Sequence, residues 1–118
     1  MTPETFFEGQ ELAWQLFDEI WRAITAIGDA QVHVTKSQIA FRRQKAFAWV
    51  WMPGKYLRGN VVPLVLTIGL RRRDASPRWK EIVEPVPGRY THHLELHAVA
   101  EIDGEIRDRL HEAWELAG

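Results

Sequence analysis

The chain has 118 residues, of which 46% are hydrophobic and 26% charged, a composition typical of one globular domain spanning residues 1–118. Its formal net charge of −1 gives no overall attraction to nucleic acid or to an anionic membrane, and the absence of cysteine excludes disulfides, thiolate metal sites and cysteine nucleophiles. The acidic N-terminus does not have the order of a secretory signal, and no apolar run approaches the about 20 residues of a membrane span. We therefore expect a soluble, cytoplasmic protein.

The first long element is predicted to be a helix from Glu11 to Ile27. Gly28 follows the last apolar position, which predicts a left-handed C-terminal cap. The apolar residues recur at helical spacing and form one stripe, which consists of Leu12, Leu16, Phe17, Ile20, Trp21, Ile24 and Ile27.

Four strands are predicted to follow this helix, because polar and apolar residues alternate or form short apolar runs between turn residues. The segments are QVHVT (31–35), QIAFRR (38–43), KAFAWVWM (45–52) and VVPLVLTIGL (61–70). The third is apolar on both faces, which places it centrally in a sheet. Pro63, near the start of the fourth, is compatible with the beginning or the edge of a strand.

A short helix is predicted after the arginine run at residues 71–73. Ser76 followed by Pro77 is typical of a helix start. We therefore predict a helix from about Pro77 to Val83 that ends before Pro85.

The last two elements are predicted to be a strand and a helix. RYTHHLELHA (89–98) alternates as a strand does, and Asp103 caps a final helix that runs to about Ala117. Strands thus cluster between terminal helices, which favours the α+β class. We predict a single antiparallel sheet of about five strands, with the N- and C-terminal helices packed on one face and the short helix before the last strand.

Three histidines fall within eight residues, in the segment YTHHLELH (90–97). On a strand, His93 and His97 lie roughly 13 Å apart at about 3.3 Å per residue, and His92 points to the opposite face. We therefore predict no metal site, and no cofactor is predicted. The core-facing side of this strand consists of Tyr90, His92, Leu94 and Leu96, and the other side of Thr91, His93, Glu95 and His97.

A basic and aromatic surface is the strongest candidate for binding. An aromatic row on one strand with arginines nearby can stack planar ligands and pair with phosphates or carboxylates. The near-neutral total charge and the absence of an RNP-type or KH-type signature argue against nucleic acid as a partner. Ten of the fifteen basic residues would contribute to this surface: Lys36, Arg42, Arg43, Lys45, Arg71, Arg72, Arg73, Arg78, Lys80 and Arg89.

The chain resembles a bacterial family filed as domain of unknown function 5655, nearly from end to end. The most specific segments are VTKSQIAFRRQKAFAWVW, SPRWKEIVEPVPGRYTHHLELH and EIDGEIRDRLHEAW. The resemblance implies a small α+β domain and carries no activity and no set of catalytic residues.

Three hypotheses follow for function. The first is a binding module, without catalysis, for an anionic or aromatic small ligand or a peptide. The second is an interaction protein that forms a homodimer through an exposed edge, and the third is an enzyme with His92 as general base. For the first, the expected ligand-binding residues are Lys36, Gln38, Arg42, Trp49, Trp51, Arg71, Arg89, Tyr90 and His92.

Overall fold

The computed structural model describes residues 1–55, 59 and 61–118 as an α+β fold with one antiparallel sheet. The helices are α1 (Pro3–Phe6), α2 (Glu11–Ile27) and α3 (Gly104–Leu116), and 3-10 turns occur at Pro53–Lys55 and Val99–Glu101. The strands are β1 (Gln31–Val34), β2 (Ile39–Arg42), β3 (Ala46–Trp51), β4 (Leu64–Leu70), β5 (Glu81–Val86) and β6 (Arg89–Leu96). Their order across the sheet is β1-β2-β3-β4-β6-β5.

Helix α2 has the predicted bounds and covers the β1–β2 side of the sheet. Phe17 and Trp21 stack on Phe41 of β2, and their ring centroids lie 5.9 and 5.7 Å from the Phe41 ring centroid. The apolar stripe is rotated slightly from the predicted one, because Leu12 is 42% exposed while Ala13 and Ala23 are buried.

The predicted central strand is confirmed. β3 lies between β2 and β4, and Ala48 and Val50 on its helix side are fully buried. α3 packs against β3, β4 and α2, and its predicted cap is also confirmed, since Asp103 accepts a hydrogen bond from the Ile106 N–H at 3.3 Å. Among the residues that the structure describes, no helix is long and apolar enough to cross a membrane.

The alternation predicted for the last strand is confirmed along β6. His92, Leu94 and Leu96 are buried, whereas Thr91, His93 and Glu95 on the other side are only partly buried. His92 and His93 therefore belong to opposite faces, as a pleated strand requires.

The predicted helix from Pro77 to Val83 is wrong, and the sheet has six strands where about five were expected. The Ser76 hydroxyl does accept the Arg78 N–H at 3.3 Å, as a helix cap would, but the turn stops there. The Lys80 N–H bonds to the His93 carbonyl at 2.8 Å, which begins the pairing of β5 with β6. Pro85 is tolerated because β5 is an edge strand with a register shift between Val83 and Val86.

The predicted left-handed cap at Gly28 is also wrong. Gly28 ends α2, but its φ of 169° and ψ of −167° are extended backbone that any residue can adopt. The reason for glycine is a close approach, because a Cβ atom here would overlap the indole ring of Trp114. That indole is fixed in place by donating a 2.9 Å hydrogen bond to the Asp29 carbonyl.

Gly28→Ala is therefore expected to lower the free energy of unfolding by about 1–3 kcal/mol, the cost typical of overpacking a filled site. Urea unfolding measures it. Gly104→Ala is the matched control, since a Cβ at Gly104 meets nothing within 4 Å. That control should leave stability unchanged or raise it by up to about 1 kcal/mol. Equal stability of Gly28→Ala and the wild type would contradict the packing argument.

Candidate functional site

A cavity of about 410 Å³ opens where β3 and β4 separate. These strands are paired from Trp51 and Val65 up to Ala48 and Ile68, and β4 then continues to Leu70 beside β6. The cavity lies at this end of the sheet, against the last turns of α3. Its lining is mostly apolar and consists of residues 45–47, Trp49, 69–71, Pro85, Val86, 89–91, Ala113, Leu116 and Ala117.

Two arginines are brought together at this cavity by the register of β4 and β6. Leu70 pairs with Tyr90 in antiparallel strands, so Arg71, which follows Leu70, and Arg89, which precedes Tyr90, come to the same end of the sheet. Both are exposed, and neither forms an ion pair or a side-chain hydrogen bond with any residue that the structure describes. Lys45 adds a third cation to the lining, and no acidic residue is among the described lining residues.

Aromatic groups supply two further parts of the lining. Trp49 is half-buried, and a Cβ at Gly69 would lie 3.6 Å from its ring, so the indole covers the Gly69 backbone. The hydrogen bond with the Glu84 carboxylate raises the pKa of the Tyr90 hydroxyl. The Arg73 guanidinium lies 5.3 Å from the centroid of the Tyr90 ring.

Four of the nine predicted ligand-binding residues line this cavity: Trp49, Arg71, Arg89 and Tyr90. The other five do not. Lys36 and Gln38 lie in the turn between β1 and β2, and Arg42 is exposed at the end of β2. Trp51 is half-buried on β3, and His92 is in the core.

His92 is fully buried and both of its ring nitrogens are engaged by backbone. Nδ1 lies 3.2 Å from the Tyr90 carbonyl and Nε2 accepts the Asp74 N–H at 3.0 Å. Because a carbonyl only accepts and an N–H only donates, this pair of bonds selects the neutral ring with its proton on Nδ1. The geometry leaves no nitrogen for a substrate, and it does not support His92 as a general base.

The remaining histidines of the 90–97 segment are separated from His92. His93 Nδ1 lies 2.8 Å from the Thr67 hydroxyl on the opposite face, and exposed His97 lies beside Glu101. Within the part of the chain that the structure describes, no three His, Asp or Glu side chains are grouped so that they could hold a metal ion.

The sequence analysis missed a buried carboxylate, Asp74, which is the centre of a polar network. Its Oδ2 accepts from the Trp79 indole at 2.9 Å and from the Ser76 N–H at 3.3 Å. Its Oδ1 lies 3.0 Å from Arg109 and 3.2 Å from Arg72. Burial alone would raise the pKa of the Asp74 carboxyl, but the hydrogen bonds from Trp79 and Arg109 outweigh burial and lower this pKa.

Several arginines of the predicted basic surface are occupied by internal contacts. Arg43 stacks 3.6 Å from the Trp114 ring centroid and donates to the Trp114 carbonyl at 2.9 Å. Arg72 makes two hydrogen bonds to Glu112, at 2.9 and 2.8 Å, and Arg78 pairs with Asp103 and Glu105 at the start of α3. These arginines stabilise the fold, which distinguishes them from Arg71 and Arg89.

The fold and the cavity together define a class: a small α+β domain with one antiparallel sheet and an arginine-rimmed, aromatic-walled cavity. The chain belongs to the family described as Domain of unknown function (DUF5655), whose model matches residues 4–117. No curated protein and no solved structure matches the chain. The family description assigns no activity.

The burial of His92 predicts a pH-dependent stability. Desolvation lowers the pKa of His92 below its ordinary value of 6.5, so the folded protein binds fewer protons than the unfolded chain below that pH. The free energy of unfolding should therefore fall as the pH drops below 6.5, by up to about 1.4 kcal/mol per pH unit. The pKa of Asp74 is also lowered, from an ordinary 3.8. Protonation of this carboxylate therefore reduces the free energy of unfolding further, but only at pH values near or below 3.8.

Urea unfolding between pH 7 and 5 measures this dependence. His92→Gln should be less stable at pH 7 but should show a flatter profile, because the amide does not titrate. His33→Gln, at an exposed position on β1, should keep the wild-type slope. A wild-type free energy of unfolding that stays constant across this pH range would contradict the lowered pKa of His92.

Proposed function

We propose that this domain is a binding module for an anionic ligand that carries a planar aromatic group, held in the cavity between β3, β4 and β6. The proposal rests mainly on Arg71 and Arg89, which lie together beside an apolar cavity and have no partner among the described residues.

Like charges on neighbouring strands destabilise a sheet when they stand opposite each other. A carboxylate or phosphate between Arg71 and Arg89 would remove that repulsion and would form charge-assisted hydrogen bonds with both guanidinium groups. Lys45 would add a point charge on the same side of the ligand.

The aromatic part of the ligand follows from the lining next to these arginines. Trp49 presents a half-buried ring over Gly69. Arg71 is the residue after the end of β4 and lies two positions from Gly69, so it would continue the same face, because side chains alternate along a strand. A flat group stacked on Trp49 would thus place its acidic substituent towards the two arginines. A peptide segment with an aromatic side chain and a carboxylate would satisfy the same groups.

Binding is tested by thermal unfolding and titration calorimetry with benzoate, phenyl phosphate, inorganic phosphate and adenosine monophosphate as probes. We expect the aromatic anions to stabilise the protein, by about 2.7 kcal/mol at a concentration 100 times the dissociation constant. Arg71→Ala and Arg89→Ala should each weaken binding about 10- to 100-fold, the effect of losing a charge-assisted hydrogen bond. Trp49→Leu should weaken binding of phenyl phosphate more than that of inorganic phosphate.

Arg42→Ala is the matched control, since Arg42 is exposed and lies outside the cavity. A second readout uses the unliganded protein: each arginine variant at the cavity should be as stable as the wild type or more so, because the repulsion is relieved. The proposal fails if none of the aromatic anions stabilises the protein, or if Arg71→Ala and Arg89→Ala bind them as the wild type does.

A further inference from the structure

The two edges of the sheet differ in how they are protected against pairing with another strand. β1 and β5 are the edge strands. On β5, Pro85 has no N–H to donate, the register shifts between Val83 and Val86, and Glu81 and Glu84 add exposed charges. Proline, irregular pairing and charge are the features that keep an edge strand from pairing.

The β1 edge has none of these features. Its residues, Gln31 to Val34, include no proline and no lysine, arginine, aspartate or glutamate, and β1 pairs with β2 through four consecutive residues without a register shift. It is therefore a regular edge that can accept another strand.

The backbone groups that point away from β2 can be identified. The Thr35 N–H bonds to the Gln38 carbonyl at 2.9 Å, so the backbone of Thr35 points towards β2. Because the direction alternates along an antiparallel strand, Gln31 and His33 also point towards β2, and Val32 and Val34 point outwards. The outward N–H and C=O groups of Val32 and Val34 have no hydrogen-bond partner among the described residues.

A second copy of β1 fits this edge. In a two-fold antiparallel pair, each residue must face a residue on the same side of the sheet, so the axis passes through Val32 or His33. An axis through Val32 bonds the two Val32 backbones to each other and sets Gln31 opposite His33 of the second copy. An axis through His33 would instead set two imidazoles opposite each other.

Charge supports the pairing of two β1 edges, and the opposed imidazoles disfavour the register centred on His33. Asp29 precedes β1 and Lys36 follows it, both are exposed, and neither side chain has an ion pair with any described residue. Either axis brings Asp29 within one position of Lys36 of the second copy, opposite Thr35 for the axis at Val32 and opposite Ser37 for the axis at His33, and symmetry places these opposite charges near each other twice.

We propose that two copies of this chain pair through their β1 edges, with the two-fold axis at Val32, and form one continuous antiparallel sheet of twelve strands. This proposal is independent of the proposed ligand site, because the cavity lining includes no residue of β1.

Sedimentation at about 1 µM to 1 mM protein tests the assembly, since the subunit is 13.7 kDa and the dimer has twice that mass. Asp29→Lys and Lys36→Asp should each weaken the dimer about tenfold, because two symmetric attractions become repulsions, and the double variant should restore wild-type affinity. Asp108→Lys, at an exposed site on α3, is the matched control. A monomer throughout the range, or single variants that dimerise as the wild type does, would overturn the proposal.

Cross-linking tests the register, and the absence of cysteine makes single-cysteine variants specific. Under oxidation, Val32→Cys should form a covalent dimer, because the two residues stand directly opposite each other within disulfide reach. Val83→Cys, at an exposed position on β5, should not. Cross-linking of His33→Cys in place of Val32→Cys would overturn the register, and equal cross-linking through Val83→Cys would overturn the choice of edge.

Discussion

The arrangement of this domain depends on one buried carboxylate, that of Asp74. It lies in the connection between β4 and β5, which has no regular secondary structure to hold it in place. The carboxylate receives hydrogen bonds from Trp79 and Ser76 within the connection and from Arg109 on α3, while the Asp74 N–H donates to His92 on β6. One residue thus joins the connection to the helix layer and to the sheet. A buried carboxylate without these donors would incur a desolvation penalty of several kcal/mol, which is why it and its donors act as a unit.

The arginines around this residue divide into two groups according to their partners. Arg72 is 46% exposed, so water screens its pairing with Asp74, and the less exposed Arg109 contributes more to anchoring the carboxylate. Arg72 instead fixes α3 through its two bonds to Glu112. Arg71, one residue earlier in the chain, lines the cavity and has no such partner among the residues that the structure describes. The network therefore holds the backbone of the connection while leaving Arg71 available at the cavity.

Local patterns in the sequence predict most of the elements. The bounds of α2 and the alternation of β6 depend on neighbours within a few residues, and both predictions are confirmed. The prediction for the β5 segment is wrong because two local signals indicated a helix. These signals are Ser76 before Pro77, which is typical of a helix start, and Pro85, which is typical of a helix end. Both signals have local explanations in the fold, since Ser76 caps a single turn and Pro85 occupies an edge strand. The interaction that overrides these signals is non-local, namely the pairing of Lys80 and Glu81 with His93 on β6.

The candidate site shows the same division between local and non-local information. Residue types alone indicated Trp49, Arg71, Arg89 and Tyr90, but sequence could not separate them from Lys36, Gln38 and Arg42. Their grouping follows from the strand order, in which β6 returns to lie beside β4 and leaves β5 outside. Only then does the pairing of Leu70 with Tyr90 place Arg71 and Arg89 together. Asp74 escaped detection for a related reason: an aspartate in a polar loop is usually solvated, and its burial depends on a tryptophan five residues later and an arginine on the last helix. The sequence therefore indicates the chemical groups that line the cavity, and the non-local register of the sheet determines which of them lie together.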